Sequence, residues 1–152
     1  MVCLGNICRS PLAEGILRSK VNPSEVWVDS AGTAGYHIGS TPDPRSIAIA
    51  RKYQIDISQQ RCRKFSKEDF KEFDVIFAMD KENYNTIISL ASNAADSKKV
   101  HLLLEGVDTN YTQVPDPYYG GEQGFHEVYN LVEKACNHIV LNTLASNTTS
   151  DE

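Results

Sequence analysis

The sequence predicts an α/β domain built on a parallel β-sheet. Two patterns point there: short apolar runs of strand length alternate with amphipathic helical stretches, and several of those stretches open on a capping residue followed by proline. A third observation fixes the domain count. The 152 residues contain no linker, repeat or low-complexity block, and that length suits one compact core.

Taken in order, Ser10-Pro11 reads as a cap with proline at the first helical position, opening a helix over residues 10–21. Residues 26–28, Val-Trp-Val, read as a short strand running into Asp29-Ser30-Ala31-Gly32. A loop rich in Gly, Thr and Pro leads to Asp43-Pro44, a second cap-plus-proline start, with a helix to about Tyr53. Residues 66–70 suggest a short capped helix, and the apolar run 75–78 a buried parallel strand. A helix over 81–90, a strand over 100–104 and a long loop over 105–120 follow. The last helix, 122–144, places Val128, Leu131, Val132, Ala135, Ile139 and Val140 on one face. The domain is expected to span 1–145, and the polar residues 146–152 to fray.

Composition excludes several classes. Hydrophobic content is 41% and charged content 23%, values of an ordinary globular chain. A net charge of −5 and a pI near 5.4 argue against nucleic acid and against an electrostatic grip on anionic membranes. No apolar run reaches the roughly 18 residues of a membrane span. The first residues have neither the basic region nor the apolar stretch of a signal peptide. Cys3, Cys8, Cys62 and Cys136 lack metal-finger spacing and disulfide-scaffold density. A reducing cytoplasm is therefore the expected compartment, with any cysteine chemistry catalytic or regulatory.

The chemistry concentrates in Cys3-Leu4-Gly5-Asn6-Ile7-Cys8-Arg9, a cysteine and an arginine separated by five residues that run straight into a helix start. A loop of this size can surround a tetrahedral oxyanion with inward-pointing backbone N–H groups. The helix that follows adds its positive dipole end and unpaired amides. Arg9 can grip two oxygens at once, which lysine could not reproduce. The same field acts on Cys3: a free thiol titrates near about 8.5, and such neighbours favour a thiolate nucleophile at neutral pH. Gly5 and Asn6 both tolerate the left-handed backbone a tight cradle demands.

Val-Cys-Leu-Gly-Asn-Ile-Cys-Arg-Ser-Pro closely resembles the loop of the low-molecular-weight protein tyrosine phosphatases. The likeness continues through Asp29-Ser30-Ala31-Gly32, Pro42-Asp43-Pro44-Arg45, Phe77-Ala78-Met79-Asp80 and Asp116-Pro117-Tyr118-Tyr119-Gly120, in the family's order. It implies a three-layer sandwich around a mainly four-stranded parallel sheet of flavodoxin-like, phosphotyrosine phosphatase I type. It implies hydrolysis of phosphotyrosine, and of small aryl phosphates, through a phosphocysteine on Cys3. Asp116 would be general acid and then base, a role worth ~10²–10⁴-fold in rate. By the same resemblance Ser10 would stabilise the thiolate, and Asn6 and Ser30 would brace the loop. Tyr36, His37, Tyr118 and Tyr119 would line the substrate cleft, making it deep enough to favour phosphotyrosine over phosphoserine. A reversible Cys3–Cys8 disulfide under peroxide is a further expectation. Expected partners are phosphotyrosine proteins, with inorganic phosphate or another tetrahedral oxyanion as product or inhibitor. No metal or cofactor is expected, because the loop, the dipole and Arg9 supply the charge that a cation otherwise would.

Two departures from the family pattern stand out. Gln60 occupies the place of a usual histidine, so it can hydrogen-bond but carries no charge. Only Met1 and Val2 precede Cys3, where the family has a full central strand. A strand normally takes about 5–6 residues, so the sequence is expected to be trimmed at its start, with unpaired backbone and a gap in the core beside it. Two rivals compete: an arsenate reductase, which needs closely spaced downstream cysteines that Cys62 and Cys136 do not provide, and a catalytically silent phosphate-binding module, disfavoured by the retention of Cys3, Arg9 and Asp116. His101, His126 and His138 read as structural or solvated, and the acidic run Glu68, Asp69, Glu72, Asp74 as a helix face.

Overall fold

The computed structural model describes residues 1–144. Four short parallel strands form one sheet in the order β2-β1-β3-β4: β1 Val2–Cys3, β2 Ala31–Gly32, β3 Ile76–Ala78 and β4 Val100–Leu102. Neighbours in sequence are separated by crossovers, as parallel pairing requires. Six helices accompany them: α1 Arg9–Arg18, α2 Pro44–Lys52, α3 Asp69–Glu72, α4 Lys81–Leu90, α5 Ala94–Lys98 and α6 Glu122–His138.

The strand residues alternate between two cores. Cys3 packs with Leu12, Ile16, Ile49, Val128 and Val132, the apolar faces of α1, α2 and α6. Val2, Ile76 and Ala78 pack with Phe65, Phe70 and Ile87, on the side of α3 and α4. The period of two in a strand produces this split and makes the sheet the middle of three layers.

Several boundaries differ from the sequence expectation. The first helix starts at Arg9, so Pro11 is its third residue, and Ser10 does not cap it. The hydroxyl of Ser10 is committed to Cys3 instead. The capped start at Asp43 is as expected: its carboxylate accepts from Arg45 N, with Pro44 opening the helix. The helix expected over 66–70 forms at Asp69–Glu72, and α5, capped by Asn93, was not anticipated. Beyond His138 the last helix widens into a π-helical turn, Ile139–Leu144. The expectation of fraying over 146–152 lies outside the described residues.

The expected strand at 26–28 does not form; the paired residues are Ala31 and Gly32. Val2 and Cys3 pair with β2 on one side, and Val2 with β3 on the other, so a central strand is present although only two residues long. Met1 donates its ammonium to Asp29 O at 3.0 Å, and burial lowers the pKa of that ammonium. Residues 26–28 pair with no strand among the described residues. A cavity of about 810 Å³ lies there, lined by Met1, Val26, Trp27, Val28, Phe73 and Val75 among others. Trp27, left 60% exposed, stacks on Phe73 with ring centroids 4.6 Å apart.

Candidate active site

Cys3 ends β1 and Arg9 begins α1, so the chain between them turns over the carboxyl edge of the sheet. Ligands gather at this edge in open α/β folds. The turn is held from outside by its carbonyls. Thr33 N donates to Cys3 O at 2.9 Å and Ala34 N to Leu4 O at 3.0 Å. Cys62 Sγ donates to Asn6 O at 2.7 Å, Asp43 N to Ile7 O at 2.8 Å, and Ser46 Oγ to Cys8 O at 3.2 Å. Because a peptide unit is planar and trans, a carbonyl drawn outward turns the following N–H the other way. Five such bonds shape a cup of amides.

Asn6 is the pivot of the cup. Its φ of 57° is left-handed, which asparagine accepts more readily than most residues. Its backbone N–H donates to Cys3 Sγ at 3.2 Å. Its side-chain Nδ2 donates to Ser10 Oγ at 2.8 Å and Ser30 Oγ at 3.0 Å, and its Oδ1 accepts from Arg63 N at 3.0 Å. Ser10 Oγ lies 3.0 Å from Cys3 Sγ. Under the cup, a Cβ on Gly32 would meet Leu4 O at 2.8 Å, so only glycine lets the strand approach the loop.

Arg9 is 3% exposed and held at both ends of its guanidinium. Nη1 donates to Asp80 Oδ2 at 2.6 Å and Val114 O at 3.0 Å; Nη2 lies 3.8 Å from Asp116 Oδ2. The fold therefore brings Asp116 beside Arg9, the last residue of the loop that Cys3 opens. Asp116 also accepts from Tyr118 N at 3.0 Å through Oδ1. Burial, with the nearby charge of Asp43, pushes the Cys8 thiol up to about 12.

Around the mouth, His37 lies 3.4 Å from where a Cβ on Gly5 would stand, with the Tyr36 ring set edge-on to it at 6.4 Å. Tyr118 and Tyr119 meet edge-to-face at 4.9 Å, and Tyr119 is 93% exposed. Gln60 stands apart from the loop: its Nε2 donates to Pro11 O at 3.1 Å, and its Oε1 is buried without a hydrogen-bond partner. Sequence reasoning missed Asp80, Cys62, Arg63 and Arg45 as parts of the site. Arg63 is locked by Asp69 at 3.0 Å and Asp29 at 3.1 Å. Arg45 chelates Asp43 and donates to Tyr118 O at 3.0 Å and Gly120 O at 3.3 Å, tying the Asp116 loop to α2. The Arg9–Asp80, Cys62–Asn6 and Arg45–Tyr118 contacts join residues remote in sequence, so only the turn residues and the capping pattern at Asp43 were visible in advance.

Among the described residues no group of three or more His, Cys, Asp or Glu side chains could hold a metal ion, and no helix is long and apolar enough to cross a membrane. Residues 1–150 match the family model described as low molecular weight phosphotyrosine protein phosphatase. The chain is 41% identical over 145 residues to the low molecular weight phosphotyrosine protein phosphatase of Schizosaccharomyces pombe, covering 91% of this chain and 92% of that one. Among solved structures, a protein tyrosine phosphatase from Entamoeba histolytica with Hepes in its active site superposes with a TM-score of 0.89 at 35% identity, over 96% of both chains. The tyrosine phosphatase Wzb from Escherichia coli K30, in complex with sulphate, gives a TM-score of 0.80 at 29% identity, over 90% of this chain and 91% of that one. Cup, guanidinium and comparisons agree, and the chain belongs to the family of low molecular weight protein tyrosine phosphatases.

Proposed function

We propose that the protein hydrolyses phosphotyrosine by a two-step transfer through Cys3. The observation that supports this reading is the set of five loop carbonyls bound by other parts of the chain, which by trans-peptide geometry turns each following amide away from those partners, with Asn6 N on Cys3 Sγ. Such a cup of amides favours a phosphoryl group carrying negative charge, and most of all the charge that develops in transfer. Inorganic phosphate, as the product, fits the same cup.

In the first step Cys3 Sγ, as a thiolate, attacks phosphorus while the bond to the tyrosine oxygen breaks. Asp116 gives that oxygen its proton, so tyrosine leaves as the neutral phenol. Arg9, withdrawn from Asp116, holds two phosphoryl oxygens. In the second step Asp116, now a carboxylate, takes a proton from water as the water attacks phosphorus. Phosphate departs and the Cys3 thiolate is restored. Tyr36, His37, Tyr118 and Tyr119 form the walls against which the aryl ring rests. A thiol nucleophile works in a reducing compartment, so the cytoplasm suits this chemistry.

A chromogenic aryl phosphate tests the scheme. Cys3→Ser is expected to lose turnover while retaining affinity for inorganic phosphate. Asp116→Ala is expected to lose ~10²–10⁴-fold in kcat. Turnover by Cys3→Ser equal to wild type would end the proposal.

A further inference from the structure

Glu14 takes no part in that scheme, yet it is a carboxylate only 3% exposed on the second turn of α1. Its surroundings connect it to the nucleophile by an unbroken run of hydrogen bonds, and the protons along that run can be counted. Arg63 N donates to Asn6 Oδ1, so Asn6 must present its NH₂ to the two serines. One proton of that NH₂ goes to Ser10 Oγ and the other to Ser30 Oγ. Each hydroxyl, having accepted, has a single proton left to give. Ser30 gives its proton to Glu14 Oε1 at 2.8 Å. Ser10 has Cys3 Sγ at 3.0 Å and, more distantly, Ala31 O at 3.5 Å. The second oxygen of Glu14 forms an ion pair with Arg18 Nη1 at 3.1 Å. Both oxygens of the carboxylate thus have a partner.

We propose that Glu14 is a positioning residue for the reaction: it anchors the far end of a buried Glu14–Ser30–Asn6–Ser10–Cys3 chain and so fixes the direction in which Ser10 donates to the nucleophile. The proposal rests on the reading of Cys3 as that nucleophile. Without an acceptor at position 14, the Ser30 hydroxyl loses the acceptor it has now and can turn its proton toward the Asn6 side chain, its other side-chain partner. That displaces the Asn6 NH₂ and favours an amide turned over, with its carbonyl facing the serines and its NH₂ against Arg63 N–H. Ser10 then has an amide oxygen to donate to in place of Cys3. A buried polar chain of this kind holds one arrangement only while every member is satisfied.

The test reads the loop in two ways, by kcat with an aryl phosphate and by the rate at which iodoacetate alkylates Cys3 at fixed neutral pH. Glu14→Leu is expected to slow both by about tenfold, the effect of one hydrogen bond to a charged group, with KM little changed. Ser30→Ala should give a similar loss, and the double variant should be no slower than the slower single variant, since both break one chain. Glu14→Gln, which still offers Ser30 an oxygen, should recover most of both rates. Should Glu14→Leu fail to fold, Glu14→Asp serves: it keeps the charge but withdraws the carboxylate by one methylene, and both rates should still fall. Wild-type rates in the variant examined, or losses that multiply in the double variant, would overturn the proposal. Failure of the catalytic reading is distinct, because it would appear in the parent protein as turnover that survives Cys3→Ser.

Discussion

At the scale of single residues, two buried groups are held away from their ordinary titration, with opposite consequences. Burial raises the pKa of Glu14, since it penalises the charged form. Between the ordinary glutamate value of about 4.3 and the raised native value, the folded protein binds more protons than the unfolded chain. Stability should therefore fall as pH rises through that window and level off above it. Urea melts across the acidic range are expected to show this decline in the parent protein and to lose it in Glu14→Gln. A parent and variant with parallel pH dependence would contradict it. Cys8 is the second case, with a thiol pushed up to about 12. A Cys3–Cys8 disulfide would require peroxide to convert Cys3 to its sulfenic acid and Cys8 then to attack that sulfur with loss of water. A thiol so reluctant to ionise makes the second step slow at neutral pH, and the disulfide should form faster as pH rises. Mass spectrometry of peroxide-treated protein checks this; sulfonic acid at Cys3 with no disulfide at any pH would refute it.

At the scale of elements, the cap at Asp43 joins fold to site. Its side chain accepts from Arg45 N and pairs with the Arg45 guanidinium, which lowers its pKa. Arg45 in turn lies over the Tyr118 and Phe125 rings, 5.5 and 4.6 Å from their centroids, and binds the loop that carries Asp116. Asp43→Ala should cost about 1 kcal/mol of stability as a lost cap. Arg45→Ala should lower kcat roughly tenfold by loosening the Asp116 loop, with inhibition by inorganic phosphate unchanged. Equal loss of phosphate inhibition in Arg45→Ala would show the cup itself to have moved. Element boundaries were legible where one local rule decided them, as at Asp43-Pro44 and in Lys81–Leu90. They were not legible where a distant partner decided. Ser10-Pro11 has the local form of a helix start, but Cys3 and Asn6 claim the Ser10 hydroxyl and the helix begins at Arg9. Residues 26–28 have strand propensity yet pair with no strand among the described residues, which no local pattern reveals.

At the scale of the whole molecule, the sheet edge carries the loop from the Cys3 thiol to the Arg9 guanidinium, with the Asp116 carboxylate beside Arg9 and Asp80 reaching Arg9 across 71 positions. The loop spacing and the Asp-Pro-Tyr-Tyr segment made the three chemical groups legible in the sequence. The long-range clamps were not, because Asp80 meets Arg9, Cys62 meets Asn6, and Arg63 meets Asn6 and Asp29 only once the chain is folded. The acidic net charge of −5 makes the cup a local device, since the overall field repels phosphate. Activity should therefore be unaffected by chelators and only weakly helped by salt. The most direct measurement of the central claim is acid quenching of a few turnovers with a labelled phosphotyrosine peptide, followed by peptide mapping. A phosphoryl label on Cys3, absent from Cys3→Ser, is the predicted result. Undiminished turnover with the label on another residue, or with none on Cys3, would contradict the account.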